Sequence, residues 1–344
     1  MIIDCAVHPV CPSSELARRL DEPYRGLAVP EPQNQRYVPP RGWMAPGLSE
    51  AVDAARQEAD SFVFAESGAE AAILVPGGRG LIASATHAAA VASAHNRWLK
   101  ECWLDPDQSG RYRGSIRVST SDPEAAVAEI ERWADDPRFV QVAVPMAAHA
   151  PYGRAPYFPI WRAASRLGLP VAVLADGQMA MEFAPTPVGY PSHFTEVATL
   201  QPMLAAMHIT SLIAEGVFDR LPDLRFVFVD GGFDLVRPVL WRLRKDWRAT
   251  RFELAAKEDP LAYIPRHVRF VTGFADGPSD SQQLAAVAGI EGADQLLMYG
   301  SHHPRWDRQG AADVFAACPD PLRRSILMTN AENLYGARLQ AGAG

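Results

Sequence analysis

Eight short apolar runs, each separated from the next by a longer stretch, constrain the fold of this chain more than any other feature. Their apolar residues are nearly continuous rather than alternating, which is typical of parallel strands that are covered on both faces. The runs are residues 2–7, 71–75, 114–118, 139–144, 171–175, 225–229, 268–272 and 295–299. Hydrophobic residues make up 48% of the 344 residues, which is enough for a large core.

The stretches between these runs have the apolar spacing of helices. Residues 83–104, 195–218 and 235–248 show it, and the segment Ser121-Asp122-Pro123-Glu124 has the cap-like residues and early proline that begin a helix. Another predicted helix, 157–167, ends at Gly168. Strand and helix that alternate eight times predict an α/β fold, a single (β/α)8 TIM barrel that spans residues 1–344 as one domain.

Two segments depart from the alternation and are predicted to be long loops. Residues 12–48, after the first strand, are rich in proline, arginine and glutamate and have little periodicity. Residues 176–195 form a second long connection, after the fifth strand. Loops at the carboxyl ends of barrel strands usually shape the active site, so we expect 12–48 to act as a lid insertion.

The composition excludes several classes of protein. A formal net charge of −7, without any run of Lys and Arg, argues against binding to nucleic acid or to an anionic membrane surface. The start MIIDCAVHPV is not a signal peptide, and no apolar stretch reaches the length of a membrane span. Four cysteines without a CxxC pair fit a reducing compartment. We therefore expect a cytoplasmic enzyme that acts on a small molecule.

Five segments of the chain together resemble one family of barrel enzymes. They are IDCAVHP (3–9), DPRFVQVAVPM (136–146), YFPIWRAASRLGLPVAVLADG (157–177), GVFDRLPDLRFVFVDGGF (216–233) and ADQLLMYGSHHPRWD (293–307). In this order they resemble the amidohydrolase superfamily, in the branch related to aminocarboxymuconate-semialdehyde decarboxylase. The resemblance implies a barrel that holds metal ligands at the carboxyl ends of its strands.

The ligand positions that the resemblance implies are only partly retained. The first strand of the family ends in His-x-His or Asp-x-His, and here Ala6 occupies the first ligand position while His8 is kept. The fifth strand of the family ends in His, and here Leu174 stands at that place. Neither alanine nor leucine has a lone pair to donate to a metal.

Two further positions carry a different ionisable residue. Asp230 precedes a glycine pair where the family has His or Glu. His302 stands where the family has the essential Asp, and Arg305 where it has a His. An imidazole at position 302 keeps a possible base, one that titrates nearer neutral pH than a carboxylate.

These replacements lead to a hypothesis of chemistry without a metal or any other cofactor. His8, Asp230 and His302 would act as a catalytic acid–base cluster in decarboxylation, C–C cleavage, isomerisation or cyclisation of a small organic acid or aromatic metabolite. One alternative is a metal-dependent hydrolase or decarboxylase in which the same three residues hold one divalent ion such as Zn or Mn. Another is a catalytically silent paralogue that serves as the partner subunit of an active amidohydrolase.

Substrate contacts are predicted near the eighth strand and in the loops. His302 and His303 are adjacent, so their side chains would point to opposite sides, and His302 is the one expected to face the barrel axis. Arg305 would bind a carboxylate and Trp306 an aromatic ring. The other predicted contacts are His149, Arg154, Asp176 and His193. We also expect a homo-oligomer or a complex with a related amidohydrolase.

Overall fold

Eight parallel strands form one sheet in which each strand pairs with the next along the chain. They are β1 (Ile3–Val7), β2 (Ala71–Leu74), β3 (Tyr112–Arg117), β4 (Phe139–Pro145), β5 (Val171–Leu174), β6 (Phe226–Val229), β7 (Val268–Thr272) and β8 (Leu297–Tyr299). The computed structural model describes residues 1–27, 51–77, 82, 84–174, 192–272, 292–305, 308–311, 315–316 and 318–340. The predicted TIM barrel is confirmed.

The sheet approaches closure just past the end of β8. The amide of His302 donates to the carbonyl of Ala6 over 2.9 Å, and the amide of His8 donates to the carbonyl of His303 over 2.7 Å. These two bonds join the carboxyl ends of β1 and β8. The seam of the barrel therefore coincides with two of the three residues predicted to be catalytic.

Helices follow the strands and cover the outside of the sheet. In chain order they are α1 (Ser13–Arg19), α2 (Val52–Ala59), α3 (Ala85–Leu99), α4 (Pro123–Trp133), α5 (Phe158–Arg166), α6 (Phe194–Ala214), α7 (Val217–Arg220), α8 (Phe233–Thr250), α9 (Pro260–His267), α10 (Ala293–Leu296), α11 (Asp320–Arg324), α12 (Asn330–Tyr335) and α13 (Ala337–Gln340). Wider helical turns extend α2 through Glu66 and α3 through Leu104. Across the described segments, no helix is long and apolar enough to cross a membrane.

The core has two layers because successive side chains of a strand point to opposite faces. Ile73 of β2 and Val75, which directly follows this strand, belong to the inner cluster, whereas Ala72 and Leu74 pack outward with the helices. The last helices cover the amino-terminal end of the barrel, where the Tyr335 hydroxyl donates to Oε1 of Gln141 over 2.8 Å. The carboxyl end is left for the functional groups, as in other barrels of this type.

The structure differs from the predicted elements mainly at their ends. The predicted helix over 195–218 is two helices, because Gly216 adopts a left-handed φ of 65° between α6 and α7. The last predicted strand begins late, since 293–296 form the short helix α10. Within the predicted loop 12–48, residues 13–19 are helical, and 28–48 lie outside the described residues. The predicted loop 176–195 is described only from Ser192 onward.

Candidate metal centre

Three strand ends bring the predicted catalytic residues together. His8 follows β1 by one residue, Asp230 follows β6 by one, and His302 follows β8 by three. One donor atom from each of the three side chains lies within 4.8 Å of the other two. His302 and Asp230 are buried and His8 is half-buried. The sequence placed these residues on distant segments, and the barrel makes them one cluster.

The backbone at two of these residues is strained. Asp230 has a φ of 56° and His302 a φ of 57°, and no other residue except glycine has a positive φ in the described parts of the chain. A left-handed conformation at a residue with a Cβ costs roughly 1–3 kcal/mol and is found mainly at functional sites. The strain turns both side chains away from the path of an ordinary strand.

Hydrogen bonds fix which ring nitrogens of the two histidines carry protons. Nδ1 of His8 lies 2.7 Å from the carbonyl of Val75, which can only accept, so this nitrogen carries the proton. The bare Nε2 of His8 then accepts from Nδ1 of His302 over 3.0 Å. In neutral His302 the remaining lone pair is on Nε2, which lies 3.2 Å from Oδ1 of Asp230.

That last contact joins two acceptors. Neither Nε2 of His302 nor Oδ1 of Asp230 has a hydrogen-bond partner, although both atoms are buried. Burial, more than any other influence, lowers the pKa of His302 to about 3, so the ring is neutral near neutral pH. The expectation that it titrates nearer neutral pH is therefore wrong. Two lone pairs that face each other in a buried site are unfavourable, and either a proton or a metal cation between them would relieve the repulsion.

Arg305 supplies positive charge on the other side of the carboxylate. Its Nη1 lies 2.5 Å from Oδ2 of Asp230. Burial alone would raise the pKa of Asp230, but the charge of the neighbouring Arg305 holds it below its ordinary value. Asp230 is therefore an anion near neutral pH, and its Oδ1 remains available as a ligand.

Asp4 supports the site from within the barrel and was not among the predicted site residues. Its Oδ1 accepts from the amides of Ala6 over 3.1 Å and Ser301 over 2.9 Å, which ties β1 to the segment after β8. Burial raises the pKa of Asp4 to about 6. A charged residue inside an apolar strand was the one sequence signal that could have identified it.

His303 lies next to the cluster in a stack of rings and charge. Its ring stacks on the Phe62 ring at a centroid distance of 5.2 Å. The guanidinium of Arg308 lies over the same Phe62 ring, 4.9 Å from its centroid. Nδ1 of His303 is buried without a hydrogen-bond partner. Burial lowers the pKa of His303 to about 3, so its ring is also neutral. No sequence pattern indicated the contribution of Phe62.

The remaining predicted contacts have partners elsewhere. His149 pairs with the Ser121 hydroxyl over 3.1 Å, and Arg154 forms an exposed ion pair with Glu215 at 3.2 Å. The His193 side chain is 81% exposed and lies at the beginning of α6. The structure does not bring these three into the cluster. Trp306 and Asp176 lie outside the described residues.

Close packing surrounds the two positions that have lost ligands. Ala6 and Leu174 are buried in the inner cluster. A Cβ on Gly300 would lie 2.8 Å from the Cβ of Ala6 and 2.6 Å from a Val271 methyl group, so the chains of β1 and β8 approach closely there. Apolar contact has replaced the missing donors at these two positions.

Solved structures share the fold over nearly the whole chain. A 2,6-dihydroxybenzoate decarboxylase from Rhizobium is 20% identical with a TM-score of 0.67, and covers 97% of this chain and 98% of its own. A dihydroxybenzoic acid decarboxylase from Polaromonas sp. JS666, with bound manganese and the inhibitor 2-nitroresorcinol, is 21% identical with a TM-score of 0.68 over 98% and 97%. A 5-carboxyvanillate decarboxylase from Novosphingobium aromaticivorans, also with manganese, has a TM-score of 0.67 at 19% identity over 97% and 96%.

The prediction of a protein without a cofactor is wrong. Structural neighbours carry manganese, and donor atoms of His8, Asp230 and His302 converge in this chain as a metal site requires. The error came from counting the inherited ligand positions. Three donors are enough for a catalytic metal site, and the barrel brings three together without Ala6 and Leu174.

Sequence comparison identifies the family. A gamma-resorcylate decarboxylase from Polaromonas sp. (strain JS666 / ATCC BAA-500) is 27% identical over 274 residues, which are 74% of this chain and 78% of the relative. Another from Rhodococcus jostii (strain RHA1) is 27% identical over 261 residues, or 70% and 75%. The expectation of an enzyme is confirmed, whereas the predicted oligomer stays a prediction. The sequence profile of the amidohydrolase family matches residues 3–337, and the chain belongs to that family.

Proposed function

We propose that this protein is a decarboxylase of small aromatic carboxylic acids that depends on one divalent metal ion. The observation that carries the proposal is the convergence of His8, Asp230 and His302 within 4.8 Å at the carboxyl end of the barrel. The gamma-resorcylate decarboxylases among its relatives support the class of reaction. The manganese in its structural neighbours supports the class of cofactor.

The donor set fits a catalytic metal rather than a structural one. Two imidazoles and a carboxylate suit manganese or zinc, and three protein ligands leave positions for a substrate. The facing lone pairs of His302 and Asp230 provide two unpartnered acceptor atoms that a cation would bind. The bond from Nδ1 of His8 to the Val75 carbonyl orients the ring and leaves its lone pair on Nε2, as outer contacts of metal-bound histidines do.

The residues around the cluster fit the binding of an aromatic acid. Arg305 contacts Asp230 of the cluster, and its guanidinium matches the geometry of a carboxylate or a phenolate. The stack of His303 on Phe62 forms an aromatic surface beside it. Nδ1 of His303, which has no partner among the described residues, is free to bond with a ring substituent.

The reaction would break the bond between the ring and the carboxylate carbon and release CO2. The ring carbon would take one proton, which the ionisable side chains of the site would relay from solvent in each turnover. A bound divalent ion would act as a Lewis acid on the oxygens of the substrate. Arg305 would hold the acid in one orientation against the cluster. Burial of His302, His303 and Asp230 would keep bulk water from the reacting carbon, which strengthens each of these charge interactions.

The test joins metal analysis with CO2 release. The purified protein is analysed for metal, treated with a chelator, and assayed with 2,6-dihydroxybenzoate and 5-carboxyvanillate before and after addition of Mn²⁺ or Zn²⁺. We expect about one ion per chain, loss of CO2 release on chelation, and its return with the ion. Turnover that persists in protein free of metal would refute the role of the metal. A fully loaded protein that releases no CO2 from any aromatic acid would refute the reaction.

A further inference from the structure

A polar cavity lies at the opposite end of the barrel from the cluster. Its volume is about 440 Å³. Arg225, which directly precedes β6, and Arg269, the second residue of β7, line this cavity and place it at the amino-terminal ends of these strands. This end of a TIM barrel usually serves stability. The charges of the cavity are unusual for such a role.

The acidic side chains of the cavity are already engaged. Asp219 accepts from the hydroxyl of Tyr263 over 2.7 Å. Glu258 forms an ion pair with Arg266 at 2.7 Å. Each carboxylate therefore has a partner, and neither is paired with the two arginines at the strand ends.

Arg225 and Arg269 bond only to backbone carbonyls within the described residues. Nη1 of Arg225 donates to the carbonyls of Pro222 over 2.9 Å and Leu224 over 3.1 Å. Nη1 of Arg269 donates to two carbonyls of its own segment, each over 2.8 Å. Nε of Arg269 is buried and has no hydrogen-bond partner. Among the described residues, neither guanidinium therefore forms an ion pair with a carboxylate.

The two charges also act on each other. Burial first, and then the charge of Arg225, lowers the pKa of Arg269. Burial also lowers the pKa of Arg225; the charge of Asp223 opposes this shift, and the smaller repulsion from Arg266 adds to it. Positive charges that repel in a partly dry cavity create a potential that attracts an anion.

We propose that this cavity binds phosphate, free or as part of a phosphate ester. The geometry points to an oxyanion because Nε and Nη of a guanidinium form a fork that matches two oxygens of such a group. Nε of Arg269 would gain its missing acceptor, and the anion would bridge the charges of Arg225 and Arg269. The site is separate from the proposed metal centre and does not depend on its chemistry.

The test is a calorimetric titration of the whole protein with inorganic phosphate, at constant ionic strength set with chloride. We expect saturable binding to one site, weakened at least about tenfold in Arg269→Gln and in Arg225→Gln. Arg166→Gln is the matched control, because Arg166 pairs with Glu131 on the exposed surface. Asp230→Asn should bind phosphate like the wild type, which separates this site from the metal centre.

Three results would overturn the proposal. They are no saturable binding of phosphate, binding of chloride with the same affinity as phosphate, and a phosphate affinity that is unchanged in both cavity variants. Loss of binding in Asp230→Asn alone would also overturn it, since the anion would then be bound at the metal centre. Circular dichroism shows whether each variant is folded. If Arg269→Gln does not fold, Arg225→Gln decides the question, because the Arg225 guanidinium donates only to carbonyls of its own segment, those of Pro222 and Leu224.

Discussion

Nε2 of His302 lies 3.2 Å from Oδ1 of Asp230, and neither buried atom has a hydrogen-bond partner. The arrangement follows from the tautomer that the Val75 carbonyl imposes on His8, since His8 in turn accepts from Nδ1 of His302. Both residues hold left-handed backbone conformations to reach this contact. Such strain and such a pair of lone pairs are consistent with a site built for a cation.

The first prediction concerns the charge of Asp230. Asp230→Asn keeps the shape of the side chain but removes its charge, so we expect affinity for Mn²⁺ to fall at least roughly 100-fold, the upper range for loss of outer-shell partners. CO2 release should fall with it. Elemental analysis after dialysis measures the bound metal, and Glu131→Gln, an exposed carboxylate, is the control. Full metal content in Asp230→Asn would rule out Asp230 as a ligand.

The second prediction concerns Arg305, which lies 2.5 Å from Asp230. Its positive charge opposes a cation at the cluster, so Arg305→Gln should bind Mn²⁺ about tenfold more tightly, a difference of about 1.4 kcal/mol. The same variant should raise KM for the aromatic acid at least about tenfold, because the carboxylate loses its partner. Metal titration and steady-state kinetics measure the two effects. Weaker metal binding would instead mean that Arg305 mainly positions Asp230.

The third prediction compares two glycines that have nearly the same φ angle. Gly232, after Asp230, has a φ of 61°, and a Cβ there would lie 2.2 Å from Cβ of Pro202 in α6. Gly168 has a φ of 64° with no atom within 4 Å of such a Cβ. Gly168→Ala should lower the free energy of unfolding by about 1 kcal/mol, because alanine is strained at a positive φ. Gly232→Ala should lower it by at least about 2 kcal/mol more, because the added Cβ also clashes with Pro202. Urea unfolding measures both, and equal losses would contradict the packing.

The fourth prediction concerns the pH dependence of stability. His208 is buried between Tyr152 and Met146, and burial lowers its pKa to about 4. In the unfolded chain His208 gains a proton near pH 6.5, whereas in the folded chain it does not. The contribution of His208 to the free energy of unfolding is therefore fully present above pH 6.5. This contribution, about 3 kcal/mol, is lost as the pH falls towards 4.

His208→Gln tests this contribution because it removes the titrating group. Urea unfolding between pH 7.5 and 4.5 should give a shallower fall in stability for the variant than for the wild type. Other groups contribute too, and Asp4, with its raised pKa, contributes in the opposite direction. These contributions cancel in the difference between the two proteins. The same slope in both would show that His208 gains its proton in the folded state.

The barrel was predictable because its signals are local. Continuous apolar runs such as 139–144 and helical spacing such as that of 83–104 are properties of short segments, and eight repeats allow few arrangements. The boundaries were less predictable where a single residue changes the backbone. Gly216 divides one predicted helix in two, and the short helix α10 delays the start of β8.

The amino-acid sequence by itself determined the barrel and the identity of His8, Asp230 and His302, because residues at the ends of parallel strands must lie on one face. The tertiary structure decided the distances, hydrogen bonds and protonation states of these residues. The ring tautomers, the bond from Arg305 to Asp230 and the depressed pKa of His302 depend on distances between segments that are far apart in the chain. The burial of these residues and the distances between them arise only when the strands come together in a barrel. For that reason, counting Ala6 and Leu174 as lost ligands led to the wrong expectation that the protein has no cofactor.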